Sequence, residues 1–374
     1  MGRVRVERAN VSERGVFGGD VFGQKMADAM QVAAVLTVRN EGAFLIEWLA
    51  HHRAVGITDF LVFSNDCADG TDQMLDRLQD MGWLTHVRNP GPHPEGPQWA
   101  ALKRADKHPL VKAADWLLPL DIDEFVNIHI GDRTVPALLA ALPDATAITL
   151  TWRLFGNSGQ IEFVDRPVTE LFLRAAPRVL HWPWRAALFK TLVRNDGGYG
   201  KLGVHRPRSP VLDRMADQRW YDGSGRALPK TFHTKRIFSD VGQDNHALAQ
   251  INHYPLGSIE GFLLKCDRGR AVHADGALGV GYWVERNFTN EEDRSILDLD
   301  SRALREILHA DTVLGPLHQR AVDWRHARFD ALMAEDPWRT LFGQLQMTGP
   351  SRVLSKAEAE AIWKPYLSAK ISKG

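Results

Sequence analysis

The chain has 374 residues, with 46 Lys plus Arg against 46 Asp plus Glu and no formal net charge. That length fits two domains or one large α/β domain. Apolar residues at 44% and charged residues at 25% exclude disorder through lack of core-forming residues over most of it. The even charge balance lacks the basic excess of a polyanion binder, so nucleic acid is not an expected partner. The two cysteines, Cys67 and Cys266, are too few for a disulfide scaffold and have no zinc-type spacing, which fits a reducing, cytoplasmic compartment. No apolar signal region opens the sequence and no run of about 18 apolar residues occurs, so neither a secretory signal nor a membrane-spanning helix is expected. The 12 tryptophans offer broad faces for core packing or for stacking on sugars.

In chain order, residues 1–30 read as a loose polar arm. VAAVLTV (32–38) is a short β-branched run, as in a strand buried on both faces. RNEG (39–42) is a polar turn, and 43–56 carries Phe44, Leu45, Trp48, Leu49 and His52 at helical spacing up to Gly56. A strand (58–64), a turn (65–70), a helix (71–82) and a third strand (83–87) follow. This β-α-β-α-β rhythm predicts a parallel sheet with covering helices, with ligands gathering at the carboxyl ends of its strands. NPGPHPEGP (89–97) is a loop. A helix is expected over 98–108, a strand over 115–120 running into DIDEF, a helix over 135–143 and a strand over 145–152. Beyond about 155 short aromatic runs alternate with loops, as in α+β structure added to the first sheet. Residues 258–273 and 301–347 read as mostly helical.

The sharpest local signal is Asp121-Ile122-Asp123-Glu124, directly after an apolar strand. Residues two apart in such an extended segment point the same way, so both aspartates can approach one divalent cation from one side. Clustered carboxylates repel unless paired or metal-bound, and oxygen ligands suit Mg²⁺ or Mn²⁺. A solvated, acid-capped strand end is the alternative. His253, in NHY after a strand-like run, can add a nitrogen ligand; it and His205 are otherwise ordinary core histidines. Arg39, Asn40 and Glu41 lie at a strand-to-helix turn whose free N–H groups suit an anion or a simple cap. Asn65, Asp66, Asp69 and Thr71 form a turn and cap. Lys103 and Arg104, on the helix after the loop, are either a solvated basic face or cations for a diphosphate.

Together these residues resemble a glycosyltransferase of the GT-A type, more closely the bacterial family-2-like group related to glycosyltransferase family 92. The matching stretches are 35–78, WLLPLDIDEF (116–125), TWRLFGNSG (151–159), GVHRP (203–207) and INHYPLGSIEGFLLKCDRG (251–269). The resemblance implies a GT-A-like (Rossmann-like) α/β fold with a mostly parallel sheet, an α+β acceptor-side extension and C-terminal helices. It implies a division into an arm (1–30), a nucleotide-sugar-binding half (31–155), an acceptor-side and metal-completing half (156–295) and a helical extension (296–374). Arg39, Asn40 and Glu41 would line the nucleotide pocket, with Ser64 and Asp66 near the base or ribose. Asp121 and Asp123 would be the paired aspartates, Asp123 on the metal and Asp121 on ribose or metal, with His253 completing the Mn²⁺ or Mg²⁺ site. Lys103, Trp152 and His205 are further substrate-binding candidates, and Trp152, Trp182 and Trp184 are candidates for sugar stacking. Many relatives have an aspartate where Ser64 stands, and their catalytic-base motif has no clear copy; Glu170, in VTELF, is the nearest candidate.

The activity implied is metal-dependent transfer of a hexose from a UDP-sugar to a glycan or lipid-linked acceptor in bacterial surface polysaccharide synthesis, in the cytoplasm with peripheral contact at the inner membrane. Two alternatives remain. One is a haloacid-dehalogenase-type phosphatase with Asp121 as nucleophile, although Phe125 stands where that motif has threonine or valine and three strands precede it. The other is a non-catalytic carbohydrate-binding protein on the same fold. No HExxH, GxSxG or P-loop pattern occurs.

Overall fold

The apolar run 32–38 forms the strand β1 (Val32–Val38), almost wholly buried near the middle of a sheet. The computed structural model describes residues 30–269 and 278–371, with side chains described to 364; apart from Met30, the arm expected over 1–30 lies outside the described residues. After β1 come α1 (Gly42–Ala54), β2 (Asp59–Ser64), α2 (Thr71–Asp80) and β3 (Thr85–Arg88), in the order read from the sequence. The helix expected over 98–108 is α3 (Pro97–Ala105), and a short further helix that was not expected, α4 (Pro109–Ala113), follows it. Pro109 starts a new helix and the His108 side chain caps it by accepting from the Leu110 N–H.

β4 (Trp116–Leu120) is buried throughout, but DIDEF does not prolong it. The Glu124 N–H donates to the Asp121 carbonyl at 3.1 Å, closing a turn, and β5 (Glu124–Ile128) leaves as a separate strand. There follow α5 (Val135–Ala141), β6 (Ala147–Leu154), α6 (Val168–Leu171), β7 (Arg174–Ala175), β8 (Phe189–Arg194), β9 (Tyr199–Lys201), β10 (Arg208–Pro210), β11 (Trp220–Asp222), α7 (Thr231–Thr234), β12 (Ala249–His253), α8 (Ile259–Arg268), α9 (Val280–Val284), β13 (Glu291–Glu292), α10 (Arg302–Ala310), α11 (Leu314–Met333), α12 (Asp336–Met347) and α13 (Lys356–Ile371).

The main sheet runs β3-β2-β1-β4-β8-β6-β12-β5, with β11 also paired to β6. β1 pairs in parallel with β2 and β4, β2 with β3, and β6 with β11 and β12; β8 is antiparallel to β4 and β6, and β5 to β12. This is the mixed α/β, mostly parallel sheet expected. The directions bring the carboxyl ends of β1, β2, β4, β6 and β12 to one rim. They bring the amino ends of β8 and β5 to the same rim, so Lys190 and Glu124 meet the turn after β4.

One face of the sheet is covered by α3, with Val35, Leu61, Phe63, Leu102, Leu117 and Phe189 in a shared core. The C-terminal helices α10 and α11 pack on α1. Gly42 permits that approach, because a Cβ there would stand 2.7 Å from the Ala321 Cβ. A second cluster, Phe262, Leu263, Trp283, Leu332 and Leu345, joins α8, α9, α11 and α12.

Candidate active site

The acidic turn is held from below by α1. The indole N–H of buried Trp48 donates to the carbonyls of Asp121 and Glu124 at 3.2 and 3.0 Å, and His51 Nε2 donates to the Val126 carbonyl at 2.8 Å. His52 Nε2 accepts from the Val126 N–H at 3.3 Å. Burial holds His51 near 4, and burial with the neighbouring His51 lowers His52 well below its ordinary value, so both rings are neutral hydrogen-bonding groups. The Trp-Leu-Ala-His-His segment thus fixes the backbone from which Asp121, Asp123 and Glu124 project.

The turn sends its carboxylates to different partners. Asp121 accepts from Gln98 Nε2 at 2.7 Å and from Lys190 Nζ at 2.9 Å, one bond on each oxygen. Asp123 faces the other way, with Lys265 Nζ at 2.7 Å and His253 Nε2 at 3.6 Å from its Oδ2. Glu124 is fully buried and accepts from the Trp152 indole N–H at 2.7 Å, the Asp121 N–H at 2.9 Å and Lys190 at 3.3 Å. Burial raises the Glu124 carboxyl above its ordinary range, while Lys190 and these donors favour its ionised form. For Asp123 burial acts against ionisation, but Lys265 and His253 outweigh it and hold the carboxyl well below the ordinary value. Lys190, with no exposed surface, keeps its charge because Asp121 and Glu124 overcome the cost of burial.

His253 ends β12, whose register sets it opposite Glu124 and Leu154. The Tyr254 N–H donates to the Asp123 carbonyl at 2.8 Å, tying the strand end to the acidic turn. Burial lowers the His253 pKa against the pull of Asp123, and its Nδ1 has no partner among the described residues. Its ring packs on Trp152, centroids 4.1 Å apart.

Above this floor lies a cleft of about 1770 Å³, counting its open side. Arg39, Arg185, Lys265, Arg268 and Arg286 line it against the carboxylates Glu41, Asp121 and Asp123, an excess of cations. Lys265 and Arg268 stand one turn apart at the end of α8 and so reach the same space. Arg268 pairs with Glu41 and donates to the Arg39 carbonyl; burial and the neighbouring Arg325 and Arg39 lower its pKa to about 10, still charged at neutral pH. Arg286 stacks on Tyr282, 3.7 Å from the ring centroid. His205 donates from Nδ1 to the Phe189 carbonyl at 3.0 Å, which leaves Nε2 as the acceptor nitrogen; burial, then Lys190, push its pKa down to about 4.

Of the residues proposed from sequence, Arg39, Glu41, Asp121, Asp123, Trp152, His205 and His253 meet in this cleft, and Asn40 lines the adjoining pocket. Four others do not. Ser64 is turned to His86, with Oγ 2.8 Å from Nε2, and its neighbour Asn65 lines the cleft instead. Asp66 accepts from the Gly91 N–H, bracing a loop. Lys103 is exposed and paired with Glu95 at 2.6 Å. Glu170, the candidate base, is bound by Arg305 at 2.7 Å where α6 meets α10, outside the cleft lining. Trp184 lines the cleft, whereas Trp182 packs edge-on against Trp363. The expected three-ligand metal set is not assembled either: among the described residues no three His, Cys, Asp or Glu converge. The reason is the turn at 121–124, which breaks the extended geometry and commits both Asp121 oxygens elsewhere. Sequence reasoning missed Gln98, Lys190, Lys265, Arg268 and Arg286. A lysine inside the apolar strand FKTLVR was the one legible signal among them.

No family model matches the chain. It is similar to two glycosyltransferase family 92 proteins. The one from Oryza sativa subsp. japonica is 25% identical over 154 residues, 39% of this chain and 24% of the relative. The one from Ricinus communis is 24% identical over 192 residues, 45% of this chain and 32% of the relative. The matched part is thus a quarter to a third of each relative's length. Among solved structures, S. aureus TarS 1–349 superposes at 12% identity and a TM-score of 0.30 over 76% of this chain and 73% of that one. Core-mannan synthase A from Aspergillus fumigatus, in an Mn/GDP form, gives 11% and 0.24 over 41% and 51%. At these scores no residue role is carried across.

Proposed function

We propose that the chain is a glycosyltransferase that moves a sugar from a nucleoside-diphosphate donor to an acceptor hydroxyl. The observation that carries this is the cation-rich cleft at the carboxyl ends of the strands, with Asp123 and His253 on its floor; the similarity to family 92 proteins supports it. Arg39, Lys265, Arg268 and Arg286 are the groups that meet the diphosphate, and their fixed charge favours the transition state in which the leaving group becomes more negative. Resemblance alone suggests a UDP-hexose donor, and a surface polysaccharide or glycolipid product.

The residues fit a divalent cation held by two protein ligands. Asp123 Oδ2 and His253 Nε2 stand 3.6 Å apart, close enough to share one ion. A hard ion such as Mg²⁺ is often bound by one or two protein groups plus phosphate oxygens. Lys265 now occupies the Asp123 oxygen and would turn to the phosphates when an ion takes its place. Such an ion, Mn²⁺ or Mg²⁺, supplies further neutralisation of the diphosphate. Asp121 is not part of this pair; held by Gln98 and Lys190, it faces the ribose.

With Glu170 outside the cleft, the proton of the acceptor hydroxyl needs another receiver. His205 lines the cleft, and among the described residues its Nε2 has no hydrogen bond, so we assign it that role. The phosphatase reading is disfavoured because both Asp121 oxygens are engaged and neither is free for in-line attack. A panel of nucleotide-sugars screened for UDP or GDP release, with and without Mn²⁺, tests the proposal. Release that disappears in Asp123→Ala supports it; intact donors under every condition, with glycan still bound, would point to the carbohydrate-binding reading instead.

A further inference from the structure

Beside the cleft, and sharing Glu41, Asp123, Lys265 and Arg268 with it, lies a second pocket of about 980 Å³, counting its open side. Its walls are mostly apolar, Phe44, Phe163, Leu171, Phe172 and Leu256 among them, with the charged Glu162, Arg166 and Asp267 also in the lining. Into this lining projects Arg325 of α11, only 6% exposed. Its guanidinium lies 4.6 and 4.7 Å from the ring centroids of Phe44 and Phe163. It has no hydrogen bond or ion pair among the described residues, and its Nε is buried without a partner. The acids that feel its charge, Asp69 and Glu260, are already engaged. Asp69 accepts from Gly42 and Thr71, and Glu260 from the Phe163 N–H. Burial, only partly offset by those two, lowers the Arg325 pKa to about 10, so it stays charged at neutral pH.

A buried arginine without a counter-ion is costly, and proteins normally pair it. Here the rings hold the guanidinium plane while its donors remain unused. We propose that Arg325 is the receptor for an oxyanion, carboxylate or phosphate, carried on an apolar or aromatic body that fills this pocket. Under the transferase reading, on which this placement rests, that molecule is the acceptor: its anion is anchored at Arg325 and its hydroxyl reaches the shared wall at Asp123 and Lys265. Arginine matches such anions through two parallel N–H bonds, and the phenylalanines supply the remaining affinity.

Trp324 also lines the pocket, so its fluorescence, with calorimetry, reports occupancy. Phenyl phosphate, benzoate, inorganic phosphate and uncharged benzyl alcohol are titrated into the full chain, with and without UDP. Phenyl phosphate or benzoate should bind at one saturable site that UDP does not displace. Arg325→Gln should weaken that binding by about tenfold or more, and Arg325→Lys by less, as expected when a charge-assisted fork is lost. Benzyl alcohol should bind both proteins alike, and inorganic phosphate more weakly than phenyl phosphate. Arg325→Gln should melt no lower than the native chain. Equal binding of the anions by Arg325→Gln or, should that variant not fold, by Arg325→Lys would overturn the proposal. So would failure of both organic anions to bind the native chain. Loss of UDP binding alone would remove the transferase reading and leave the anion site standing; loss of anion binding alone would do the reverse.

Discussion

Lys190→Met tests how the acidic turn is balanced. The substitution keeps an unbranched chain of similar bulk in a fully buried position and removes the ammonium between Asp121 and Glu124. Asp121, a third exposed, is reached by water and contributes little, about 1 kcal/mol or less. Glu124 has no exposure, so it must either remain as a bare buried carboxylate or take up a proton. An ordinary glutamate titrates at 4.5, and raising that to hold a proton at pH 7 costs about 3.4 kcal/mol. Most of this already burdens the native fold, since burial raises Glu124 to about 8 even beside Lys190. The expected loss through Glu124 is therefore small at pH 7, about 0.5 kcal/mol or less. A carboxyl whose folded-state pKa is raised holds more protons folded than unfolded, so stability falls as pH rises above 4.5; in the native chain that fall ends near 8, and in Lys190→Met, where Glu124 is raised further, it continues. The penalty should be nearly absent at pH 7 and grow above pH 8 by up to about 1.4 kcal/mol per pH unit. Urea unfolding of the native chain, Lys190→Met, Glu124→Gln and the double variant, at pH 7, 8.5 and 9.5, measures this. The double variant should recover most of the loss. A penalty independent of pH, or undiminished by Glu124→Gln, would refute the reasoning.

Asp123→Asn should act in opposite senses with and without metal. In chelator it releases Lys265 toward the diphosphate, and UDP should bind about threefold or more tighter by calorimetry; with Mn²⁺ the native chain should gain affinity and the variant should not. His205→Gln should lower kcat by about 10²-fold or more with little change in KM. Because burial holds His205 near 4, native activity should show no acid limb from this ring between pH 6 and 8. Lys103→Ala and Glu170→Ala should leave donor turnover within about twofold, since neither side chain lines the cleft.

Much of the fold was legible because it is written locally. VAAVLTV, DFLVFS and WLLPL are apolar runs that only a buried strand accommodates, and Gly56 and Gly82 mark where the intervening helical patterns stop. The acidic turn was legible as a cluster but not as a shape. Whether DIDEF extends β4 or folds back depends on Trp48 and on β12, which lie far away in sequence. The partners of its carboxylates were hidden for the same reason: Lys190 and Lys265 lie 69 and 142 residues from the aspartates they meet. Glu170 misled because a carboxylate at a plausible distance downstream says nothing of Arg305, 135 residues further on, which claims it.

The central claim is that the cleft above Asp123 and His253 receives a nucleoside diphosphate. Calorimetric titration of UDP and GDP into the native chain and into Lys265→Gln, in Mn²⁺ and in chelator, tests it most directly. A single site should bind one of them, weaken with added salt and weaken by about tenfold in Lys265→Gln. No binding of either nucleotide under any condition, or binding indifferent to Lys265, would contradict it.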